Sequence, residues 1–177
     1  MDHILYVEIN LICILIVALE IIQLVRDIDK SPRVRLFVGL MCCALLSFGF
    51  DLTWAFLHAA GAPEPLSWVV NQLYFLALNL TSVFWMLYAE TCLESPWLKK
   101  RSLFVVSLAP AVLLQLVTLA GLVFHINPEG YQRGPLHWFQ VTIAYFYIAW
   151  PAIKAFLKSN QRRYYAQRSE YRMLASF

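Results

Sequence analysis

Residues 47–58, SFGFDLTWAFLH, place a carboxylate inside a long apolar run. On a helix, four side chains spaced three or four residues apart share one face: Ser47, Asp51, Trp54 and His58. An ionisable side chain at membrane depth is costly unless it faces protein or water. The stretch therefore predicts that other apolar helices pack around Asp51.

The composition of the chain is that of a membrane protein. Of the 177 residues, 60% are hydrophobic, 15% aromatic and 14% charged, which is too apolar for an ordinary soluble domain. A helix needs about 20 apolar residues to cross a bilayer. The runs that meet this length cover residues 4–25, 34–57, 66–89, 103–124 and 136–157. We expect an all-α fold, a polytopic bundle of five transmembrane helices forming one domain over residues 1–158 in the lipid bilayer.

The basic residues predict the orientation of this bundle. They cluster between the first and second runs, between the third and fourth, and after the fifth, whereas Arg133 is the only one in the other segments. Lysine and arginine mark cytoplasmic loops. The N-terminus is thus expected outside and the C-terminus in the cytoplasm. The net charge of +3 is then a topology signal, and a nucleic-acid partner is not expected.

A carboxylate in the first run is predicted to lie near Asp51. Glu8 is at a similar depth below the outer face, and Asn10 follows it closely. Two carboxylates at one level can share a proton, coordinate a cation or bind a cationic ligand. The structural alternative is a protonated Asp51 that is hydrogen-bonded to a neighbouring helix.

The third run carries a polar stripe at helical spacing. Its members are Gln72, Asn79, Met86 and Glu90, with Ser82 close by. Such amides either join helices by hydrogen bonds or line a path for a ligand. Two prolines, Pro110 and Pro151, are predicted to bend the fourth and fifth helices, as hinges or as fixed shape.

Histidines are predicted at the outer ends of the helices, close to carboxylates. The histidines are His3, His58, His125 and His137, and the carboxylates are Glu8, Asp51, Glu64 and Glu129. They offer a zinc or pH-sensing site, but no HxxxH or HxxE spacing is present, and histidine is also common at a wet interface. The cysteines, at 13, 42, 43 and 92, show no CxxC pair. We therefore assign no metal and no cofactor.

Residues 159–177 end the chain with a basic segment that becomes apolar at MLASF. This pattern predicts either a basic cytoplasmic tail or the start of a sixth span that is cut short.

Short motifs occur along the chain in a characteristic order. They are YVEIN (6–10), FDLTW (50–54), NQLYF (71–75), WMLYAE (85–90) and RSEY (168–171). In this order they resemble the multi-span N-terminal sensor region that precedes GGDEF domains in bacterial diguanylate cyclases and precedes some histidine kinases. The resemblance covers nearly the whole chain. It implies about seven spans in the bacterial inner membrane, followed by a cytoplasmic output domain, and hence a truncated chain.

The expected function is that of a signal-input module without catalytic activity, because GGDEF, a kinase histidine box and a Walker loop are all missing. A small ligand or ion would bind near the outer face and change helix positions, which a cytoplasmic output domain or partner protein reads. The candidate ligand-binding residues are Glu8, Asn10, Asp51, Trp54, His58, Asn71, Gln72 and Asn79. A homodimer is an open alternative to a monomer.

Two other functions remain open. The chain can be a small transporter or channel component whose path follows Gln72, Asn79 and Glu90. It can also be a helper subunit that supplies helices to a membrane complex.

Overall fold

The computed structural model describes residues 3–26, 31–127, 130–161 and 167–176, apart from the side chains of His3 and Ile4. The helices are α1 (His3–Arg26), α2 (Pro32–Ala59), α3 (Glu64–Cys92), α4 (Arg101–Leu119), α5 (His137–Ser159) and α6 (Arg168–Ala175). A short 3-10 helix covers Pro96–Lys99. Strands β1 (Phe124–Asn127) and β2 (Gly130–Arg133) form an antiparallel hairpin. The predicted all-α class is confirmed, with this small hairpin added.

Several helices can cross a membrane by length and composition. They are Leu5–Arg26, Pro32–Ala59, Glu64–Cys92 and Arg101–Leu119. Helix α5 has 23 residues, including one glutamine and two lysines, and is not among these four. The multi-pass membrane class is therefore confirmed, whereas five spans and their orientation stay predictions.

Helix α3 is the centre of the bundle, since it packs against α2, α4, α5 and β1. Helix α1 packs on α2, and α6 packs on α5. A glycine permits the close approach of α2 to α3, because a Cβ at Gly39 would lie 2.7 Å from Cε1 of Phe84. We refer to the two ends of the bundle as the hairpin end, where β1 and β2 lie, and the α6 end.

The described buried apolar side chains form a cluster near each end and one between them. At the hairpin end the cluster is Phe75, Val123 and Phe124. The middle cluster is Val83, Met86, Ala111 and Tyr147. At the α6 end the cluster is Ala89, Cys92, Leu93, Ala155, Tyr171 and Leu174. Residues from α3 occur in all three, which is why this helix positions the others.

The predicted end of the fourth span at residue 124 is wrong, because α4 ends at Leu119. Gly121 adopts a left-handed conformation with φ +74°. Its N–H donates to the carbonyl of Thr118, and the N–H of Leu122 donates to that of Val117, so the helix closes in a Schellman motif. The chain then turns into the hairpin instead of continuing the helix.

Pro110 has no N–H to donate within α4, and a tyrosine of α5 hydrogen-bonds to the backbone beside it. The N–H of Ala111 donates to the hydroxyl of Tyr147 at 3.2 Å, and this hydroxyl donates to the carbonyl of Ser107 at 2.7 Å. The amide of Asn79 donates to the Ala111 carbonyl at 2.9 Å. These contacts tie the proline site to α3 and α5, as expected for a fixed shape.

Candidate functional site

A cavity of about 500 Å³ lies between α2, α3 and α5 toward the hairpin end. It is lined by Asp51, Trp54, Asn71, Tyr74, Phe75, Leu78, Ser82, Tyr131, His137, Gln140, Val141, Ala144, Tyr145 and Ile148. Its size is within the range of small-molecule sites. Among the predicted ligand-binding residues, Asp51, Trp54 and Asn71 therefore share one cavity.

Helix α1 holds the carboxylate of Asp51 at the edge of this cavity. Tyr6 and Asn10 lie one turn apart on α1, so both side chains reach α2 from the same face. The Tyr6 hydroxyl donates to Oδ2 of Asp51, and Nδ2 of Asn10 donates to the same oxygen at 3.3 Å. Asn10 thus acts through Asp51, as neither it nor Tyr6 lines the cavity. Sequence reasoning missed Tyr6 as a site residue, although its spacing from Asn10 was a usable signal.

Aromatic rings connect Asp51's helix with the hairpin. The rings of Trp54 and His58 stack with centroids 5.4 Å apart, and the Tyr131 ring meets Trp54 edge-on at 6.2 Å. Tyr131 also stacks on Phe124, which stacks on Phe75 of α3. Burial raises the pKa of the Tyr131 phenol, so it is neutral at neutral pH. The hairpin, which the sequence analysis treated as a loop, therefore supplies one wall of the cavity.

His58 lies outside the cavity, in a smaller cleft of about 190 Å³. Gly130 of the hairpin approaches its ring, because a Cβ at Gly130 would lie 3.1 Å from Cε1 of His58. His58 therefore contributes to the site by supporting Trp54 and the hairpin.

Helix α5 brings two polar atoms that lack partners within the described ranges. Gln140 is only 4% exposed, and its Oε1 accepts no hydrogen bond there. Nδ1 of His137, one turn earlier on the same helix, is also buried and unpaired within those ranges. A buried acceptor without a donor is unfavourable, so the Gln140 amide gains a hydrogen bond if it turns toward a donor in the cavity that its helix lines. Sequence reasoning missed Gln140 because no second amide repeats at helical spacing in α5.

Two of the predicted amides serve helix packing. Nε2 of Gln72 donates to the carbonyl of Thr118 at 2.9 Å, and Nδ2 of Asn79 donates to that of Ala111 at the same distance. Both amides are buried and join α3 to α4. Of the two alternatives for the polar stripe, these two amides fit hydrogen bonding between helices.

The structure does not bring Glu8 to Asp51. Glu8 is exposed on α1. It lies two residues from both Tyr6 and Asn10, which puts it on the opposite face of the helix. The proposed pairing of two carboxylates is therefore wrong for this arrangement of α1 and α2.

Glu90, the last residue of the polar stripe, forms a buried ion pair near the α6 end. Its carboxylate is fully buried and accepts hydrogen bonds from Nζ of Lys154 and from Nε1 of Trp97. Lys154 also donates to Oγ of Ser95 at 3.0 Å. Lys154 lies near the end of the fifth predicted run, and its ion pair with Glu90 joins α5 to α3.

Further polar contacts join different helices at the α6 end. Nζ of Lys158 donates to the carbonyl of Leu93. Arg33 lies 3.3 Å from Glu94 and 3.5 Å from Glu170, so its guanidinium joins the start of α2 to the end of α3 and to α6. These polar contacts converge where α3, α5 and α6 meet.

The histidines were considered for a zinc site. In the part of the chain that the structure describes, no group of three or more His, Cys, Asp and Glu side chains is arranged to hold a metal ion. The side chain of His3 and all of Glu129 lie outside the described residues. So do residues 27–30, 162–166 and 177, which hold part of the predicted cytoplasmic segments and tail.

One family model matches almost the whole chain. It is described as the N-terminal 7TM region of histidine kinase, and it covers residues 9–176. Neither the comparison with curated proteins nor that with solved structures finds a match. The predicted resemblance to the sensor region of histidine kinases is confirmed, whereas its link to diguanylate cyclases gains no support. The chain belongs to the family of N-terminal 7TM regions of histidine kinases.

Proposed function

We propose that this chain senses a stimulus by binding it in the cavity beside Asp51 and passes the signal to a cytoplasmic histidine kinase output domain. The observation that carries the proposal is the cavity itself. It is shared by three helices and the hairpin, so a bound molecule contacts elements that can move relative to one another. Its carboxylate is positioned by α1, which couples a fourth helix to the same site.

The proposal includes an orientation, with the hairpin end outside and the α6 end in the cytoplasm. It is supported by the positions of Arg33, Lys99, Lys100 and Lys158 toward the α6 end. We include α5 as a fifth span that is tolerated through its contacts with α3. The predicted cytoplasmic tail then includes α6, where Tyr171 and Leu174 pack into the cluster at that end.

The proposed route to the output follows α5. His137, Gln140 and Ala144 of α5 line the cavity, and Lys154 and Lys158 of the same helix contact α3 at the α6 end. A ligand that shifts α5 against α3 changes these contacts and the position of α6. The Glu90–Lys154 pair is thus the proposed relay between cavity and output.

The test uses the full-length native protein in membrane vesicles, with autophosphorylation from labelled ATP as the readout. Asp51→Asn keeps the size of the side chain and removes its charge. We expect it to change the autophosphorylation rate, or the change in that rate on adding stimulus-containing growth medium, by about tenfold. A tenfold change corresponds to a shift of a two-state equilibrium by roughly 1.4 kcal/mol. Glu20→Gln removes a carboxylate from an exposed position of α1 and is expected to behave as the unmodified protein.

Equal rates and responses for Asp51→Asn, Glu20→Gln and the unmodified protein would contradict the proposal. The melting temperature of each purified variant shows whether a lost response merely reports misfolding. The proposal includes a homodimer, which the sequence analysis left open. The molecular mass of the purified protein in detergent tests this oligomeric state.

The transporter alternative receives no comparable support. Its path requires a free polar face on α3, yet Gln72, Asn79 and Glu90 are engaged with α4 and α5.

A further inference from the structure

Asp51 brings a carboxyl group to the cavity, and within the described residues no neighbouring lysine or arginine pairs with it. Among the described residues, no lysine or arginine lines the cavity, and Asp51 forms no ion pair. Its Oδ2 accepts from two neutral donors, Tyr6 and Asn10, while Oδ1 accepts from none within the described ranges. Neutral donors orient a carboxylate without removing its charge, so an approaching cation gains electrostatic energy.

A second polar side chain, Gln140 of α5, is among the lining residues of the cavity. Oε1 of Gln140 is unpaired among the described residues, and the side chain is only 4% exposed. A ligand with N–H groups satisfies this oxygen once the Gln140 side chain turns toward the cavity, because the oxygen is inaccessible in its present position. Both side chains therefore favour a donor.

The remainder of the cavity is largely aromatic and aliphatic, with Trp54, Tyr74, Tyr131 and Leu78 among its lining residues. Aromatic rings beside a carboxylate favour an organic cation through their electron-rich faces and also bury an apolar body. The volume of about 500 Å³ suits a small organic molecule and is far larger than a bare metal ion.

We propose that the cavity binds a protonated organic amine with an apolar body, its ammonium group at the carboxylate of Asp51. This inference rests on the proposed function, because it names the ligand class of the same site. The carboxylate supplies charge complementarity, the glutamine accepts an N–H hydrogen bond once its side chain turns toward the cavity, and the aromatic wall holds the apolar part.

The test compares three probes of similar size and different charge on the chain in phosphatidylcholine nanodiscs. They are 2-phenylethylammonium, neutral 2-phenylethanol and anionic 3-phenylpropionate, and binding is measured by calorimetry and by the shift of the melting temperature. We expect saturable binding of the ammonium probe, with an affinity about tenfold or more above that of either other probe. The zwitterionic lipid avoids the accumulation of cations that an anionic surface produces.

Variants assign this preference to the cavity. Asp51→Asn is expected to reduce the affinity for the ammonium probe by about tenfold, and Gln140→Met by a few-fold. Glu20→Gln, on an exposed position of α1, is expected to leave it unchanged. If Asp51→Asn does not fold, the ranking of the three probes on the unmodified chain still decides the question.

Equal binding of all three probes, no binding of the ammonium probe up to millimolar concentration, or an unchanged affinity in Asp51→Asn would overturn the proposed ligand class. That failure is distinct from failure of the sensory function. If no probe binds but Asp51→Asn alters autophosphorylation of the full-length protein, only the ligand class is wrong. If the amine binds at Asp51 but neither the amine nor Asp51→Asn changes autophosphorylation, the ligand class holds and the sensory proposal is wrong.

Discussion

Glu94 has a left-handed backbone, with φ +50°, and is not a glycine. It follows the last turn of α3, where its N–H donates to the carbonyl of Thr91 and the N–H of Ser95 donates to that of Glu90. Gly61 and Gly121 occupy the same position after α2 and α4, with φ +64° and +74°. A side chain in this conformation costs about 1 kcal/mol relative to glycine. Glu94 therefore introduces strain at the helix end that holds Glu90.

Replacing this residue relieves the strain. We expect Glu94→Gly to raise the free energy of unfolding by about 1 kcal/mol, since the exposed ion pair that it removes with Arg33 contributes little. Glu94→Ala removes the same pair but keeps the strain, so it is the matched control. Thermal unfolding in detergent separates the two. A Glu94→Gly protein no more stable than Glu94→Ala would show that the backbone at this position is unstrained.

Helices α4 and α5 are joined at the proline of α4 by one hydroxyl. Tyr147 is almost fully buried, and its hydroxyl bridges the carbonyl of Ser107 and the N–H of Ala111. Without it, both backbone groups lose a polar partner in an apolar environment where water cannot replace it. The contact between two distant elements thus stabilises the shape of α4.

Removing this hydroxyl isolates its contribution. We expect Tyr147→Phe to lower the free energy of unfolding by about 1–3 kcal/mol, the cost of leaving buried polar groups unpaired. Tyr145→Phe is the control on the same helix, because Tyr145 is 67% exposed. Equal melting temperatures of the two variants would show that the bridge does not contribute to stability.

Near the α6 end, helices α3 and α5 are joined by the ion pair of Glu90 and Lys154. Breaking the pair by Glu90→Leu or by Lys154→Met is expected to cost about 3–5 kcal/mol, since each change leaves the partner charge uncompensated. The double variant Glu90→Leu with Lys154→Met removes both charges and should recover most of this loss. Chemical unfolding of the four proteins measures the coupling. Strictly additive losses in the double variant would contradict a direct interaction.

At the scale of the whole molecule, the parts that sequence analysis predicted are those with local signals. The spans predicted at 4–25, 34–57 and 66–89 lie within α1, α2 and α3, because long apolar runs specify membrane helices without reference to the rest of the chain. Asp51 was also proposed as a site residue from a local signal, since a carboxylate in such a run is unusual, and the structure places it at the cavity.

The missed parts depend on contacts between distant segments. The hairpin required Gly121 to end α4 inside an apolar run. The partners of Asp51 on α1 and the Glu90–Lys154 pair join residues that are far apart in sequence. Glu8 was assigned to the site by depth alone, and depth does not specify which face of a helix meets its neighbour. Such pairings follow from packing, which one sequence does not reveal.

The most direct test of the sensory role fills the cavity in the full-length protein. Leu78→Trp and Ala144→Phe enlarge side chains on its α3 and α5 walls, and Leu80→Trp places the same indole on an exposed face of α3. Autophosphorylation is measured in membrane vesicles after the melting temperature confirms folding. We expect either cavity variant to change the rate by about threefold or more, because filling the cavity favours one arrangement of α3 and α5, while Leu80→Trp matches the unmodified protein. Folded cavity variants that all match the unmodified protein would contradict a sensory role for this cavity.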